Sequence, residues 1–321
     1  MNIGIDIGYS AVKAVSGERR VTFPSIVGTP DLARFGLSEG QEIVLATANG
    51  PVLVGQGAVE QSRFVNRRED RAWIESDEYY TLFLAALSEL SGATSVDVTL
   101  ITGLPVAFYS DHAHLAGILH SEHHIARTGR RAQLIRVLDC RVIPQPFGAL
   151  LSAALDDRGR LVNHDLAGRV GVIDIGGKTT NILSVSRLRE LARETASLSL
   201  GGWDIVRAVR ESLAVRCPGL DLRDHQLVEA IAARQVSYYG EVLDLGPVVE
   251  TILDPLAEQI IAQATQLWNG GAALDAILVA GGGALLLGKR ILRHFRHARL
   301  VDDPIFANAI GYWKLAMRTQ R

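Results

Sequence analysis

The chain has 321 residues, of which 48% are hydrophobic, so it is long enough for about two domains with sizeable cores. Its 33 Lys and Arg residues nearly balance its 35 Asp and Glu residues, so no overall charge would hold it on nucleic acid or an anionic membrane. The two cysteines, Cys140 and Cys217, argue against a disulfide framework or a structural zinc site and fit a reducing cytoplasm. Because no run of about 18 apolar residues occurs, we expect a soluble cytoplasmic protein without a membrane-spanning helix.

The N-terminal segment predicts a buried strand followed by a hairpin. Residues 3–8 read Ile-Gly-Ile-Asp-Ile-Gly, and no basic segment precedes them as it would in a signal peptide. A second apolar run, Ala11–Val15, follows the glycine turn, which is typical of a β-hairpin. Residues 24–70 contain short apolar runs between Gly and Pro residues, and they predict an irregular β-rich insertion.

The rest of the first half alternates helices and strands, which indicates α/β layers. The predicted elements are a helix over Tyr79–Leu90, strands over Val96–Thr102 and Leu134–Val142, and a helix over Phe147–Leu155. Between the two strands, residues 111–131 contain five His residues. Two of them, His120 and His124, have the i, i+4 spacing of helical metal ligands, but no acidic or Cys set completes a site. We therefore expect this segment to be an exposed polar helix.

The middle of the chain repeats its beginning. Residues 171–176 read Gly-Val-Ile-Asp-Ile-Gly, and the apolar run Asn181–Val185 follows them. Two similar half-chains are therefore predicted, each opening with a hairpin whose turn carries an Asp beside a Gly.

The second half predicts further helices and one buried strand. The helices are Trp203–Val215, Gln226–Ala233, Val248–Trp268, Ala284–Arg296 and Ile310–Met317, and the strand is Ala276–Ala280. A basic run lies on or just beyond the fourth of these helices: Lys289, Arg290, Arg293, Arg296 and Arg299. Contact with DNA, a partner or a neighbouring subunit is one interpretation of this run, and a solvated helix face is the expected one.

Each Asp turn has the residues that phosphate binding requires. In the first turn, Gly8 allows backbone amides to approach a phosphate, Lys13 adds a positive charge, and Asp6 is able to hold Mg²⁺ through water. The second turn carries Asp174 and follows it with two glycines, a lysine and two hydroxyls at residues 176–180. One Asp-x-Gly turn is a common hairpin, whereas two of them half a chain apart favour a nucleotide site.

A third glycine turn, Gly281–Gly283, joins the buried strand to a helix, and its backbone is suited to lie flat against an adenosine. The Rossmann fingerprint is not met, because the sixth position of this turn is Leu286 rather than Gly or Ala. The Gly-x-x-x-x-Gly-Lys-Ser/Thr sequence of a P-loop is also absent. A phosphate-binding chain without either loop points to another superfamily.

Five segments together resemble the motifs of the actin superfamily. In chain order they resemble phosphate 1, connect 1, phosphate 2, adenosine and connect 2, and they lie at Asp6–Lys13, Pro144–Ala149, Asp174–Thr180, Val279–Ala284 and Ala307–Gly311. Within the superfamily, the short chain, the Phe-Pro-Ser sequence at residues 23–25 and the Phe-Ala-Asn-Ala ending at residues 306–309 are most similar to the ParM/StbA plasmid-segregation actins.

The resemblance implies a fold and a set of site residues. The fold is α/β, with two related, ribonuclease-H-like domains and a nucleotide cleft between them. Domain I covers residues 1–146 and 302–321, and domain II covers residues 147–301. The implied catalytic residues are Gln145, Asp174 and Asp6, and the two carboxylates also hold Mg²⁺ through water. The implied contacts to ATP or ADP are Gly8, Tyr9, Ser10, Ala11, Lys13, Gly176, Gly177, Lys178, Thr179, Thr180, Gly201, Gly202, Glu229, Gly281, Gly282 and Gly283.

Three of these assignments have plain structural alternatives, and that of Gln145 is a simple connector between two prolines. Gly201 and Gly202 also fit a simple helix N-cap, and Glu229 fits a solvated charge better than a ribose ligand. At connect 1 the chain has Gln145, as actin does, where many relatives have Glu. A neutral amide orients water but is a poor base, so the resemblance implies slow hydrolysis.

The resemblance implies an ATPase that polymerises into filaments and moves or positions DNA. Its partners would be further copies of the chain and a DNA-binding adaptor, with no direct sequence-specific binding of nucleic acid and no membrane contact. One alternative is a non-polymerising ATP-binding scaffold of the same superfamily. Another is a sugar or small-molecule kinase, although two distant cysteines cannot form the zinc motif of the short sugar kinases.

Overall fold

The structure is a computed structural model that describes residues 1–17, 19–30, 42–62, 65–66 and 71–318. Parts of the predicted insertion, residues 31–41, 63–64 and 67–70, lie outside the described residues. No helix within the described ranges is long and apolar enough to cross a membrane.

The described residues form the strands that the sequence predicts and several further ones. The strands are β1 (Asn2–Ile7), β2 (Ala11–Ser16), β3 (Arg19–Pro24), β4 (Val27–Gly28), β5 (Ile43–Thr47), β6 (Gly50–Val54), β7 (Val65–Asn66), β8 (Ser95–Leu104), β9 (Glu122–Ile125), β10 (Gln133–Pro144), β11 (Arg169–Ile175), β12 (Thr180–Ser186), β13 (Arg189–Glu190), β14 (Ala196–Leu198), β15 (Gln235–Tyr238), β16 (Glu241–Asp244), β17 (Ala276–Ala280) and β18 (Ala298–Leu300).

The α-helices are α1 (Gln56–Gln61), α2 (Asp77–Leu90), α3 (His112–Leu119), α4 (Gln145–Ala154), α5 (Gly202–Arg216), α6 (Asp224–Ala233), α7 (Gly246–Leu267), α8 (Ala284–His294) and α9 (Ala307–Arg318). Short 3₁₀ helices cover Arg71–Glu75, Val106–Asp111, His164–Ala167 and Ala192–Glu194.

Two mixed sheets are built on the same plan. The first has the strand order β3-β2-β1-β8-β10-β9, and the second has the order β13-β12-β11-β17-β18. In each sheet the Asp-bearing strand pairs antiparallel with its hairpin partner on one side and parallel with a later strand on the other. The predicted repeat of two half-chains is therefore confirmed as two related α/β units.

The described part of the insertion is β-rich, as predicted, and forms a separate four-stranded sheet in the order β5-β6-β4-β7. It also contains helix α1, which the sequence pattern did not predict. In the second half, β15 and β16 form an isolated hairpin between α6 and α7.

Helix α9 returns to the first sheet and crosses α4 at very short range. A Cβ on Gly4 of β1 would lie 2.2 Å from the Ala309 carbonyl oxygen, and one on Gly311 would lie 1.8 Å from the Gly148 carbonyl oxygen. Only glycine permits these backbones to touch. The opposite faces of α4 pack against the second sheet and against α9. The domain boundaries that the sequence predicts, with domain I at residues 1–146 and 302–321 and domain II at residues 147–301, remain predictions.

The His-rich segment differs from the predicted exposed helix. Helix α3 ends at Leu119, and His124 lies on β9, which pairs with β10 at the edge of the first sheet. His123, on the same strand, is fully buried. The helical i, i+4 interpretation of His120 and His124 was wrong, because strand pairing and burial of alternate residues decide the local structure. Among the described residues, no group of three or more His, Cys, Asp or Glu side chains is placed to hold a metal.

Two smaller predictions also change. Gln145 is the first residue of α4 rather than a connector ahead of the helix, and Pro146 follows it in the first turn, where proline is well tolerated. Helix α8 ends at His294, before the predicted Arg296, because Phe295 turns into the core in an extended conformation.

Candidate functional site

The first Asp turn is a tight loop between β1 and β2. The Gly8 amide donates to the Ala11 carbonyl at 3.2 Å, which closes the turn. Ser25 supports the turn from outside, since its amide donates to the Ser10 carbonyl at 3.0 Å and its hydroxyl donates to the Gly8 carbonyl. Asp6 pairs with Lys13 across the hairpin, so this carboxylate and this cation lie side by side at its end.

The second Asp turn, between β11 and β12, repeats this geometry. The Gly176 amide donates to the Thr179 carbonyl at 2.9 Å, the same offset as in the first turn. The N-terminus of α5 supports it, because the Gly202 and Trp203 amides donate to the Gly176 and Gly177 carbonyls at 2.9 and 2.8 Å. Gly202 thus fixes the turn through its amide, and Gly201 allows the close approach, since a Cβ there would lie 2.5 Å from the Gly177 carbonyl oxygen.

The two turns face each other across a cleft. A Cβ on Gly177 would lie 2.7 Å from the Ser10 Cβ, so the tips of the turns are in contact. The Lys178 ammonium lies 5.1 Å from the centre of the Tyr9 ring, a cation–π contact between one turn and the other. Residues that are far apart in the sequence therefore form one site with backbone amides on both sides.

Two carboxylates lie buried at the floor of the cleft. Asp6 and Asp174 expose only 6% and 4% of their surface. Burial raises the pKa of Asp6, against the opposing effects of Lys13 and Gln145. Burial also raises the pKa of Asp174 to about 6; the Asn308 hydrogen bond lowers it, and the nearby charge of Asp6 raises it further. Two buried acids this close create a strong demand for positive charge.

Two amide side chains hold these carboxylates. The Gln145 Nε2 donates to Asp6 Oδ1 at 3.1 Å from the first turn of α4. The Asn308 Nδ2 donates to Asp174 Oδ2 at 3.0 Å from the first turn of α9, and its Oδ1 accepts from the Ala149 amide at 3.1 Å. Each connecting helix therefore orients one of the two acids.

The triple-glycine turn closes against the second Asp turn. Gly281 has a φ of +86°, and a Cβ there would lie 2.3 Å from the Ile175 carbonyl oxygen and 2.6 Å from Asp174 Oδ1. The Gly283 amide donates to the Ile175 carbonyl at 2.9 Å. Gly282 has open space around it, so its bare backbone faces the cleft.

Most of the predicted site residues line this cleft, which encloses about 800 Å³ including the solvent at its mouth. They are Asp6, Gly8, Tyr9, Ser10, Lys13, Gln145, Asp174, Gly176, Gly177, Lys178, Thr179, Gly281 and Gly282. Ala11, Thr180, Gly201, Gly202 and Gly283 lie behind the lining and build the turns. Thr180, for example, is fully buried and donates its hydroxyl hydrogen to the Leu200 carbonyl.

Glu229 stands apart from the predicted set. It lies exposed on α6 and is not among the residues that line the cleft. Its exposed position agrees with the alternative interpretation of Glu229 as a solvated charge rather than a ribose ligand.

Several residues of the site carried no signal that sequence reasoning used. Trp73 and Tyr79 line the cleft in an edge-to-face contact with ring centres 5.7 Å apart. Asn181 Oδ1 accepts from the Val106 amide and the Ser197 hydroxyl, which joins the two halves below the second turn. Asn181 occupies the hairpin position of Lys13 in the first turn, a signal that aligning the two repeats would have revealed.

The donor set fits a hydrated Mg²⁺ beside a nucleotide. Mg²⁺ prefers hard oxygen ligands and retains most of its waters, so two buried carboxylates suit it better than a dedicated cage of side chains. Asp6 and Asp174 would hold the ion through water, and the ion would neutralise phosphate charge. The exposed amides of the two turns are suited to phosphate oxygens, and the bare Gly281–Gly282 backbone is suited to a flat nucleoside.

Two family models match the chain. The N-terminal domain of actin-like proteins matches residues 4–148, and the C-terminal domain of archaeal MreB-like actin homologues matches residues 172–293. No curated protein sequence matches the chain significantly.

Solved structures with the same fold cover the full length. A ParM protein from a 15-stranded filament of Clostridium botulinum is 25% identical over 99% of both chains, with a TM-score of 0.83. The archaeal actin homologue Ta0583 in complex with ADP is 20% identical over 99% of both chains, with a TM-score of 0.82. A Bacillus thuringiensis ParM with AMPPNP is 14% identical over 99% of both chains, with a TM-score of 0.74.

The two repeated α/β units and the cleft between their Asp turns define a protein of the actin fold, as the resemblance predicted. The chain is an actin-like protein, with an N-terminal and a C-terminal α/β domain.

Proposed function

We propose that this protein binds ATP with Mg²⁺, hydrolyses it slowly and polymerises into filaments that segregate plasmid or other DNA. The proposal depends on the contact between the two Asp turns. Because the turns meet, the backbone amides of both turns and the two buried carboxylates lie around one cleft. Relatives described as a filament, as an ADP complex and as an AMPPNP complex support the same function.

The chain's own residues account for the chemistry. The amides of both turns and the Lys13 ammonium neutralise phosphate charge and fix its position, which is most of what phosphoryl transfer requires. Bound Mg²⁺ supplies further neutralisation of charge. Gln145 and Asp174 orient the attacking water, and the neutral Gln145 amide is unable to take its proton. Hydrolysis is therefore slow, which suits a filament that assembles before it hydrolyses.

A filament of this kind requires two sorts of partner. The chain associates with further copies of itself, and a DNA-binding adaptor links the filament to its cargo, since the near-neutral net charge gives no general attraction to DNA. We expect no sequence-specific binding of duplex DNA by the purified protein in a fluorescence anisotropy assay.

Light scattering and negative-stain electron microscopy test the proposal. With ATP and Mg²⁺ we expect scattering to rise and filaments to appear, and without nucleotide neither should occur. Phosphate release should follow the rise in scattering. Persistent monomers that bind ATP would instead support a scaffold, and ATP consumption that depends on an added sugar would support a kinase.

A further inference from the structure

One groove on the second domain is apolar at its floor and basic at its rim. It lies along the exposed face of α8 and against β18, and its apolar residues include Leu285, Leu292 and Leu300. Leu285 is 58% exposed and Leu300 is 38% exposed, although both are large aliphatic side chains. Such a patch beside charged residues is typical of an interaction surface.

The cations of the rim are unpaired within the part of the chain that the structure describes. Lys289 and Arg293 line the groove, are exposed and form no ion pair with any described residue. Arg290, on the same helix, instead bonds Glu250 and Asp254, so its charge is already neutralised. The basic run of the sequence thus includes one structural arginine, Arg290, and two groove-lining cations whose charge is available to a partner.

A second exposed feature has the complementary character. The isolated hairpin β15–β16 closes through a two-residue loop, Tyr239 and Gly240, in which both φ angles are positive, at 49° and 85°. Such turns favour Asn, Asp or Gly, and a Tyr there adopts a costly conformation. Tyr239 is nevertheless 88% exposed and Val242 is 69% exposed. Glu241, beside them, is exposed and forms no ion pair with any described residue.

We propose that the β15–β16 hairpin of one copy docks into the α8–β18 groove of a second copy. The hairpin supplies an aromatic and an aliphatic side chain for the leucine floor, and Glu241 supplies the negative charge that the basic rim lacks. Tyr is common at protein interfaces because it combines a large apolar ring with a polar end. Both surfaces are exposed on the same molecule, so the contact is head-to-tail and repeats from copy to copy. The proposal rests on self-assembly as part of the proposed function.

Two variants that each block one surface test the contact without requiring a filament. Leu285→Asp disables the groove and keeps the hairpin, whereas Tyr239→Asp disables the hairpin and keeps the groove. In sedimentation velocity with ATP and Mg²⁺, each variant alone should remain monomeric. A 1:1 mixture should form a dimer and no longer species, because only one intact contact remains.

A mixture that stays monomeric while the wild type polymerises would overturn the docking and leave the proposed function standing. A mixture that dimerises while the wild type forms only closed dimers or rings would leave the contact standing and overturn the filament.

Charge reversal supplies the second test. Glu241→Lys and Arg293→Glu should each raise the critical concentration of assembly at least tenfold, and the double variant should recover most of the loss. The matched control is Arg131→Glu, an exposed arginine on the first domain, which should assemble normally. Failure of the double variant to recover, although circular dichroism shows all variants folded, would contradict the pairing. If Arg293→Glu instead weakens binding to duplex DNA and leaves assembly unchanged, the rim binds DNA and the proposal is wrong.

Discussion

Asn308 donates a 3.0 Å hydrogen bond to the Asp174 carboxylate, and the two residues are 134 positions apart in the chain. The same amide group accepts from the Ala149 amide, so one side chain connects α9, α4 and the second Asp turn. Asn308→Ala should lower the free energy of unfolding by about 1–3 kcal/mol, because it leaves a buried carboxylate and a buried amide with fewer partners. Urea denaturation measures this change.

Asn308→Asp serves as the paired variant. It is similar in shape but places a second negative charge against Asp174, so it should be more destabilising at pH 8 than at pH 5. Equal losses at both pH values would show that electrostatic contact with Asp174 is not what the residue provides.

Ionisation of the buried Asp174 carboxylate has a cost in stability. Its pKa is raised to about 6 by burial, so ionisation at neutral pH opposes folding by up to about 3 kcal/mol. Asp174→Asn should therefore raise the melting temperature of the nucleotide-free protein and nearly abolish phosphate release. Asp174→Ala should leave the fold intact and also nearly abolish phosphate release. Unchanged turnover in either variant would refute the assignment of Asp174 to the site.

Gln145 limits the rate of hydrolysis in this proposal. A carboxylate at the same position has proton affinity that the amide lacks, so Gln145→Glu should speed phosphate release by roughly 10- to 100-fold. Gln145→Ala should slow it below the wild-type rate, since Asp174 alone then orients the water. A malachite-green assay under single-turnover conditions measures both rates. If the Glu variant is slower than the wild type, its repulsion with Asp6 outweighs its basicity.

Two neighbouring glycines form a matched pair for the third turn. Gly281→Ala places a methyl group against the Ile175 backbone at a positive φ, so it should destabilise the protein by at least about 1–2 kcal/mol. Gly282→Ala meets no atom within 4 Å and should fold normally. If the bare backbone faces the nucleoside, Gly282→Ala should still weaken binding of a fluorescent ATP analogue. Normal binding by this variant would place the nucleoside elsewhere.

His123 predicts a pH dependence of stability that is separate from the site. Its Nε2 donates to the Leu119 carbonyl at 3.0 Å and its Nδ1 accepts from the Tyr80 hydroxyl at 2.9 Å, which fixes a neutral ring. Burial lowers the pKa of His123 below its ordinary value of 6.5. The unfolded chain thus binds the proton more readily, and the stability from the neutral ring is present above pH 6.5 and falls as the pH drops below it.

His123→Gln should flatten this part of the curve of unfolding free energy against pH between 7 and 5. His124→Gln, on the same strand but exposed, is the control and should leave the curve unchanged. Equal curves for all three proteins would show that His123 does not control the acid sensitivity.

Local sequence patterns predicted the elements of the fold well because each depends on short-range geometry. The strand over Ala276–Ala280 has the predicted bounds, and the helix predicted over Tyr79–Leu90 begins only two residues earlier, at Asp77. Both hairpins were predicted from a glycine between apolar runs, a pattern that is typical of short turns between strands. The exposed helix predicted over the His-rich segment was wrong at its C-terminal end. There, pairing with β10 and burial of His123 override the helical spacing.

By itself, the sequence determined two Asp-bearing hairpins, a triple-glycine turn and the α/β order of the elements, because these follow from backbone conformation and hydrophobic period. Only the tertiary structure decided that Gln145 bonds Asp6, that Asn308 bonds Asp174 and that Ser10 contacts Gly177. These contacts join residues that are more than 100 positions apart, and the packing of α4 and α9 brings them together. The division of the basic run into a neutralised Arg290 and an unpaired rim has the same origin, since it depends on which acids α7 places beside α8.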